Sequence, residues 1–219
     1  MVRFDHVGDV APALLVQLAP RERVLVPVDM VRYRDPTVGV DRVKYTYPNP
    51  TSGIGLSSWK YFEALDGPGT ATVSTGMVGE IRLGQLQPGE PMFLHDGALL
   101  AHEATIQYRK VLLARYQLPI QNSPVAYVTA AELLGPGQYA VQCHGNVLSF
   151  TLNPGEILRC HPDALVSMER TIQYRVQIFG GPPAFPGPHY FPLMDFAGPG
   201  KIQIHSGRYQ LVEPGGEGP

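Results

Sequence analysis

Apolar and polar residues alternate along much of this chain, in short runs that turn-forming residues separate. Thr70-Ala71-Thr72-Val73-Ser74 and Lys201-Ile202-Gln203-Ile204-His205 follow a period of two, which predicts half-buried β-strands. Pro-Gly-Glu and Gly-Pro-Gly triplets mark the turns, because proline fixes φ and glycine permits a positive φ. The pattern therefore predicts an all-β chain of many short strands.

The turns and strands recur in a fixed order. Thr-Ile-Gln-Tyr-Arg occurs at 105–109 and again at 171–175, and Leu-x-Pro-Gly-Glu occurs at 86–90 and 152–156 with the same offset of 66. A weaker copy begins at 18–22, at an offset of 68 from the second. A Gly-Pro-Gly triplet with alternating apolar residues follows each copy. We predict three tandem units, about residues 18–85, 86–151 and 152–211.

Units of this kind each present one apolar face and would be unstable alone. Packing them around a common axis buries those faces together. The sequence therefore predicts one all-β assembly over residues 1–219, with pseudo-threefold symmetry.

Helical signal is sparse. Residues 126–134 fit a short helix, capped by Thr129 with Glu132 three residues later. The matching segment of the first unit, 57–65, is similar in size and more aromatic. In the third unit the equivalent stretch runs from Gly180 to Pro192, and its prolines rule out a regular helix. This divergent loop is either a plain surface loop or a binding site.

Composition narrows the class of protein. With 24 glycines, 22 prolines, 44% hydrophobic and 16% charged residues, the 219-residue chain fits a folded β-rich globule. The net charge of −2 and the absence of a basic run make nucleic-acid binding unlikely on sequence grounds. No signal peptide or membrane-spanning apolar stretch is present, so the chain is predicted to be cytoplasmic. Cys143 and Cys160 are then expected to be reduced structural thiols.

Four motifs, in this order, suggest a known family. The first motif is Leu65-Asp66-Gly67-Pro68-Gly69, followed by an alternating strand, and the second is the Leu-x-Pro-Gly-Glu turn. The third is His95-Asp96-Gly97-Ala98-Leu99-Leu100-Ala101, and the last is Phe196-Ala197-Gly198-Pro199-Gly200-Lys201-Ile202. Over about residues 15–211 the sequence resembles the altered-inheritance-of-mitochondria (mitochondrial biogenesis) family. The resemblance implies a fold like that of tryptophan RNA-binding attenuation protein, a double-stranded β-helix or β-sandwich. It implies no catalytic residues.

The attenuation protein binds RNA through a repeated lysine and arginine cluster, from which this chain departs. Its recurrent polar positions hold acids and threonines, and acids would repel phosphate. These positions are Glu22, Glu90 and Glu156; Asp35, Glu103 and Glu169; and Thr37, Thr105 and Thr171. We expect the first set to accept backbone N–H groups or to pair with a repeated arginine such as Arg109 or Arg175, and the threonines to hydrogen-bond across strands.

Histidines raise the alternative of a cupin-like metal enzyme. His95 and His161 are equivalent in the repeat, but the first unit has Pro27 there, which excludes a symmetric three-histidine site. His95, His102 and Glu103 come closest to a cupin ligand set, with the wrong spacing for one short strand. We therefore predict structural or surface histidines, with no metal and no cofactor.

The aromatic residues of the first unit complete the set of candidates. We predict that they form a core or a subunit contact, whereas an exposed patch would indicate a partner surface. They are Tyr45, Tyr47, Trp59, Tyr61 and Phe62. No nucleophile elbow, P-loop or dinucleotide fingerprint is present. The sequence as a whole predicts a non-enzymatic binding or scaffolding protein that forms a homo-oligomer, with a metal-dependent enzyme or an RNA-binding protein as alternatives.

Overall fold

The computed structural model describes residues 2–49, 51, 57–76, 78–119, 123–180 and 190–207. Within these ranges the regular structure is β-strand, apart from two single 3-10 turns at Asp96–Ala98 and Pro162–Ala164. The predicted all-β class is confirmed.

The described strands follow the chain in this order: β1 (Arg3–Val7), β2 (Ala13–Leu18), β3 (Arg23–Pro27), β4 (Val31–Arg34), β5 (Gly39–Pro48), β6 (Ser57–Asp66), β7 (Gly69–Val73), β8 (Gly79–Leu86), β9 (Pro91–Leu94), β10 (Leu99–Glu103), β11 (Gln107–Gln117), β12 (Val125–Leu134), β13 (Gly137–His144), β14 (Val147–Leu152), β15 (Ile157–Cys160), β16 (Leu165–Glu169), β17 (Gln173–Phe179), β18 (Phe191–Ala197) and β19 (Gly200–His205). The pairings between these strands are antiparallel.

Four sheets contain these strands. The first sheet has the order β1-β2-β7-β4, the second β5-β6-β3-β10-β13-β8, the third β11-β12-β9-β16-β19-β14, and the fourth β15-β18-β17. The second and third sheets each combine strands from two parts of the chain that follow one another. They do so because β10 pairs with β3 and β16 pairs with β9.

Hydrophobic clusters connect successive sheets. The first and second sheets share a cluster that includes Leu14 and Leu65, and the second and third share one that includes Phe62 and Leu133. A third cluster, with Phe196, connects the third and fourth sheets. The sheets are thus stacked in order, as faces with alternating apolar residues require. The outer faces of the first and fourth sheets end the stack.

The Gly-Pro-Gly turns share one arrangement. The backbone N–H of Thr70 donates to Asp35 at 2.7 Å, that of Gln138 to Glu103 at 2.8 Å, and that of Lys201 to Glu169 at 2.9 Å. At Gly69 φ is +138°, and a Cβ there would lie 2.8 Å from the Thr37 hydroxyl. Thr105 and Thr171 approach Gly137 and Gly200 in the same way. The recurrent acids therefore bind a turn N–H, and the recurrent threonines pack against the glycine that follows the proline.

The predicted helix over 126–134 is wrong. This segment lies in β12, and 57–65 lies in β6. β12 pairs with β11 on one side and β9 on the other, so its backbone N–H and C=O groups bond to two neighbouring strands. Thr129 and Glu132 cap nothing, since Glu132 is paired with Arg109 across the hairpin. Tertiary pairing outweighs the weak helical preference of the alanines and leucines.

Candidate functional site

Three long antiparallel hairpins lie side by side at one side of the stack. They are β5–β6, β11–β12 and β17–β18, with β11 contacting both β5 and β17. Because neighbouring residues in a strand point to opposite faces, the middle hairpin β11–β12 has one face toward β5–β6 and the other toward β17–β18. These faces hold most of the aromatic and basic side chains that are candidates for function.

The inner face of β5–β6, toward β11–β12, is an aromatic core. Phe62 is fully buried, and its ring lies 5.5 Å from that of Tyr45 and 5.1 Å from that of Tyr108, both edge-on. Tyr47 is also buried and lies 6.1 Å from Tyr108. Edge-to-face pairs of this kind contribute about 0.5–1.5 kcal/mol each beyond their buried area.

A carboxylate bridges the two hairpins beside this core. Asp96, in the 3-10 turn, accepts bonds from the Lys60 ammonium at 2.6 Å and the Tyr108 hydroxyl at 2.9 Å, and Lys110 lies 3.5 Å away. Burial acts to raise the pKa of Asp96, but the charges of Lys60 and Lys110 and the hydrogen bonds outweigh it, so that pKa is lowered. Burial together with the nearby Asp96 charge raises the pKa of Tyr108. The centre is thus an ionised carboxylate with a neutral phenol.

The outer face of β5–β6 is exposed. Trp59 is 55% exposed and Tyr61 is 39% exposed. The Lys44 ammonium lies 4.7 Å from the centre of the Trp59 ring, and the Arg42 guanidinium lies 5.1 Å from that of Tyr61. The strand register places each cation diagonally across from its ring. Together with Val40, these four residues form what we call the outer ladder.

The corresponding face of β11–β12 is covered. Tyr108 and Lys110 occupy the places in β11 that Val40 and Arg42 occupy in β5. Tyr108 contacts Phe62 on the inner face of β5–β6, and Lys110 lies beside Asp96 in the 3-10 turn. Val40, in contrast, is 45% exposed. The same face is therefore core in one hairpin and surface in another.

The opposite end of the stack holds a second charged group. Asp195 in β18 is almost fully buried and accepts bonds from Arg159 at 2.5 Å, Arg175 at 3.1 Å and Gln177 at 2.5 Å. The hydrogen bond from Arg159 lowers the pKa of Asp195 most, and Arg175 adds to it against the effect of burial. The Arg159 guanidinium also lies 4.8 Å from the centre of the Phe179 ring. Two arginines share one carboxylate here, so this cluster has a net positive charge.

The alternative metal site on His95, His102 and Glu103 is not assembled within the described residues, where no group of three or more His, Cys, Asp or Glu side chains is placed to hold a metal. His102 is fully buried, and burial lowers its pKa to about 4. Its Nδ1 lies 2.9 Å from the Glu103 carbonyl oxygen and its ring lies edge-on to Phe62. His95 is half-buried and burial lowers its pKa, whereas His161 is exposed beside Asp163.

The first set of recurrent acids fulfils the first of its two predicted roles. Each accepts the backbone N–H three residues earlier: Glu22 from Ala19 at 2.8 Å, Glu90 from Gln87 at 2.7 Å, and Glu156 from Asn153 at 2.7 Å. The alternative pairing with Arg109 or Arg175 is wrong, since those arginines bind Glu132 and Asp195. The acids are turn components.

The remaining candidates are dispersed. Cys143 is buried in β13 and Cys160 is half-buried in β15, and both are free thiols. Of the predicted loop 180–192, residues 181–189 lie outside the described residues. The aromatic group of the first unit is divided, with Tyr45, Tyr47 and Phe62 on the inner face and the two others on the outer ladder.

Sequence reasoning did not identify Arg42, Lys44, Lys60, Asp96 or Asp195. For Arg42 and Lys44 a signal was available, since the period of two in 40–47 and 58–63 places cations and rings on one face. No local pattern marks Asp96 or Asp195, because their partners come from distant strands.

Among the described residues no helix is long and apolar enough to cross a membrane. Comparison with curated proteins gives no match. The fold is similar to the crystal structure of protein SPYM3_0169 from Streptococcus pyogenes, with a TM-score of 0.67, 18% identity, and coverage of 95% of this chain and 94% of that one. The family described as mitochondrial biogenesis AIM24 matches residues 4–207. That match spans nearly the whole chain, which therefore belongs to the mitochondrial biogenesis AIM24 family.

Proposed function

We propose that this chain is a non-enzymatic cytoplasmic binding or scaffolding protein, and that the outer ladder is where it binds another protein. The observation that carries the proposal is the pairing of exposed rings with cations, Trp59 with Lys44 and Tyr61 with Arg42. Aromatic residues and arginine are enriched at the centres of protein interfaces. An exposed group of this kind on one face indicates an interaction surface.

The groups that cover the equivalent face of the second hairpin indicate which chemistry a partner of the outer ladder would have. The equivalent face of β11–β12 is covered by aromatic side chains and by the Asp96 carboxylate, which contacts Lys110. A partner of the outer ladder would therefore present an apolar or aromatic surface with a carboxylate near Arg42. Charge complementarity of this kind favours rapid association and sets the orientation of the partner.

We also infer that the chain consists of three fused units with a fold like that of the attenuation protein. The described strands form three groups of six, β2–β7, β8–β13 and β14–β19, each beginning a few residues before the predicted start of its unit. The pairing β2-β7-β4 recurs in these groups as β8-β13-β10 and β14-β19-β16. A register shift recurs at the same place, before Tyr33, Ala101 and Ser167. These recurrences support three repeats within one all-β assembly.

Site-specific crosslinking in cells tests the proposed surface. A photoreactive phenylalanine analogue at Tyr61 is expected to crosslink one defined protein, and Arg42→Glu with Lys44→Glu is expected to abolish that product. The analogue at Tyr127, exposed on the second hairpin, is the control position. Equal crosslinking at both positions, or a product that survives the charge reversal, would contradict the proposal.

An RNA partner is a distinct outcome of the same series. Rings beside cations can stack single-stranded bases, and purified protein would then retain RNA in low salt and lose it with Trp59→Ala. Salt-sensitive RNA retention would replace the protein partner with a nucleic acid. Stoichiometric transition metal in elemental analysis would instead favour a metal enzyme.

Self-association, the expectation from the sequence, is a second candidate. What supports it is that the second and third sheets each end in two edge strands, β5 with β8 and β11 with β14, whose unpaired backbone groups favour strand addition. Light scattering over a range of concentrations tests it, and a constant mass of one chain would exclude it.

A further inference from the structure

Two strand junctions inside the molecule follow one rule. In the second sheet β3 pairs with β10, with Leu25 opposite His102. In the third sheet β9 pairs with β16, with Phe93 opposite Met168. In both junctions a strand that follows a Leu-x-Pro-x-Glu turn adds to the edge of a strand from the next part of the chain.

The equivalent strands at the two ends of the stack have no such neighbour among the described residues. β15 corresponds to β3 and β9, and it forms one edge of the fourth sheet. β4 corresponds to β10 and β16, and it forms one edge of the first sheet. A second copy that added its β4 to β15 in the interior register would place Arg34 opposite Arg159. It would also place Tyr33 opposite Cys160.

The residues that face each other in the two interior junctions differ in kind from the corresponding residues, Arg34 and Arg159, of the free edges β4 and β15. Leu25, His102 and Met168 are buried, and Phe93 is half-buried in the adjacent cluster. At the ends both residues are exposed arginines. Directly opposed side chains in antiparallel strands lie about 4.5–5.5 Å apart, and like charges there are destabilising.

Among the described residues of one chain, neither arginine has a carboxylate to itself. Arg34 donates to the Val38 carbonyl oxygen at 2.8 Å, which removes no charge. Arg159 shares Asp195 with Arg175, so one carboxylate serves two guanidinium groups. Charged side chains on exposed edges are a general protection against edge-to-edge association.

We propose that β4 and β15 form a latent head-to-tail interface between copies of this chain, which the opposed Arg34 and Arg159 keep from forming. The contact is heterologous, with two different edges, so that without the arginines it would join more than two copies into a ring or an open-ended series. This inference does not depend on the proposed function of the outer ladder.

The first test restores the interior pair. Arg34→Met with Arg159→Phe reproduces the combination of Met168 and Phe93 at the ends. We expect the mass from light scattering to rise with concentration to that of two chains and beyond, while the wild type keeps the lower mass. The control is Arg82→Met with Arg115→Phe, the same replacements on the edge strands β8 and β11. A double variant that keeps the wild-type mass at every concentration would overturn the proposal.

A second variant leaves the Asp195 cluster intact. Arg34→Glu places a carboxylate opposite Arg159, so we expect association in low salt that is lost in high salt. Arg32→Glu makes the same change of charge on the same strand without facing Arg159, and should leave the mass unchanged. Equal behaviour of the two variants would contradict the register.

A disulfide trap tests the register directly. Tyr33→Cys in the Arg34→Glu background should form a ladder of crosslinked chains through Cys160 on mild oxidation, since cross-strand neighbours are within disulfide reach. Cys160→Ser should abolish the ladder. With Arg34 present, Tyr33→Cys should give no ladder, and a ladder there would show that the arginines do not block the interface.

Discussion

The first and second hairpins have the same strand pairing, but corresponding faces have different environments. In β11–β12 that face holds Tyr108 and Lys110, which pack against Phe62 and Asp96. In β5–β6 it holds Val40 and Arg42, which remain exposed beside Tyr61 and Trp59. The difference is that the first hairpin covers this face of the second, whereas among the described residues no hairpin covers the same face of the first.

This comparison separates two uses of one surface chemistry. Basic and aromatic side chains form a partly buried cluster around a bridging carboxylate where another hairpin covers them. On the first of the three hairpins the same residue types form exposed cation–π pairs, which contribute about 0.5–1 kcal/mol each. We therefore expect substitutions on covered faces to lower the free energy of unfolding, and substitutions on exposed faces to affect the proposed binding of a partner.

The largest expected effect comes from the covered face. Phe62→Ala removes a fully buried ring that contacts Tyr45, Tyr108 and His102, and should lower the free energy of unfolding by about 3–5 kcal/mol. Tyr61→Ala, the adjacent residue on the open face, is the matched control and should cost less than about 1 kcal/mol. Urea unfolding of both variants measures the difference. Similar losses would contradict the distinction between covered and open faces.

His102 should make the covered face sensitive to acid. Its folded pKa of about 4 lies below the usual histidine value, so the unfolded chain takes up a proton first as the pH falls. Stability from this group is complete above about pH 6.5 and is lost toward pH 4, by at most about 3 kcal/mol.

His102→Met copies the residue that Met168 supplies at the next junction. We expect unfolding free energies near those of the wild type at pH 7, and a smaller loss on acidification between pH 6.5 and 4. His95 is present in both proteins, so its titration cancels in the difference. Parallel pH profiles for the two proteins would exclude His102 as the sensitive group.

Asp96 should stabilise the fold as an anion, and its contribution to the free energy of unfolding should be lost at a lower pH than that of His102. Asp96→Asn retains the shape but removes the anion beside Lys60 and Lys110, and should cost about 1–3 kcal/mol at pH 7. Because the folded pKa of Asp96 is lowered, its contribution is complete above about pH 4 and is lost as the pH falls further. The difference between wild type and variant in urea unfolding should shrink below pH 4, and a constant difference would contradict the ion pairs.

The smallest effect is expected on the open face. Arg42→Gln with Lys44→Gln removes both cations from the outer ladder, and should lower the free energy of unfolding by about 1 kcal/mol and at most about 2 kcal/mol, the sum of two exposed cation–π pairs. Thermal unfolding monitored by circular dichroism is sufficient to check this. A larger loss would assign the ladder to the stability of the fold.

Several features of the fold were predictable because they are local. The period of two at 70–74 and 201–205 predicted β7 and β19, and the Pro-Gly-Glu motif predicted turns in which Glu90 and Glu156 bind backbone N–H groups. Each of these depends on residues close together in sequence.

The wrong predictions concern features that depend on pairing with strands distant in sequence. Residues 126–134 combine helix-forming and strand-forming residues, and only pairing with β9 and β11 makes them a strand. Arg109 binds Glu132 and Arg175 binds Asp195, each on the opposite strand of its hairpin, and neither binds a turn glutamate. Non-local partners leave no trace in a short window of sequence.

The sequence by itself determined that this chain is all-β, where many of its turns lie and which residues alternate along its strands. Only the tertiary structure decided which face of each strand became core. Phe62 and Tyr61 are adjacent aromatic residues in β6, yet one is fully buried and the other is exposed. Alternation sets opposite directions for neighbouring side chains, whereas burial depends on whether another sheet packs on that side. For the first hairpin, one face meets the second hairpin, whereas Trp59 and Tyr61 on its outer face stay exposed.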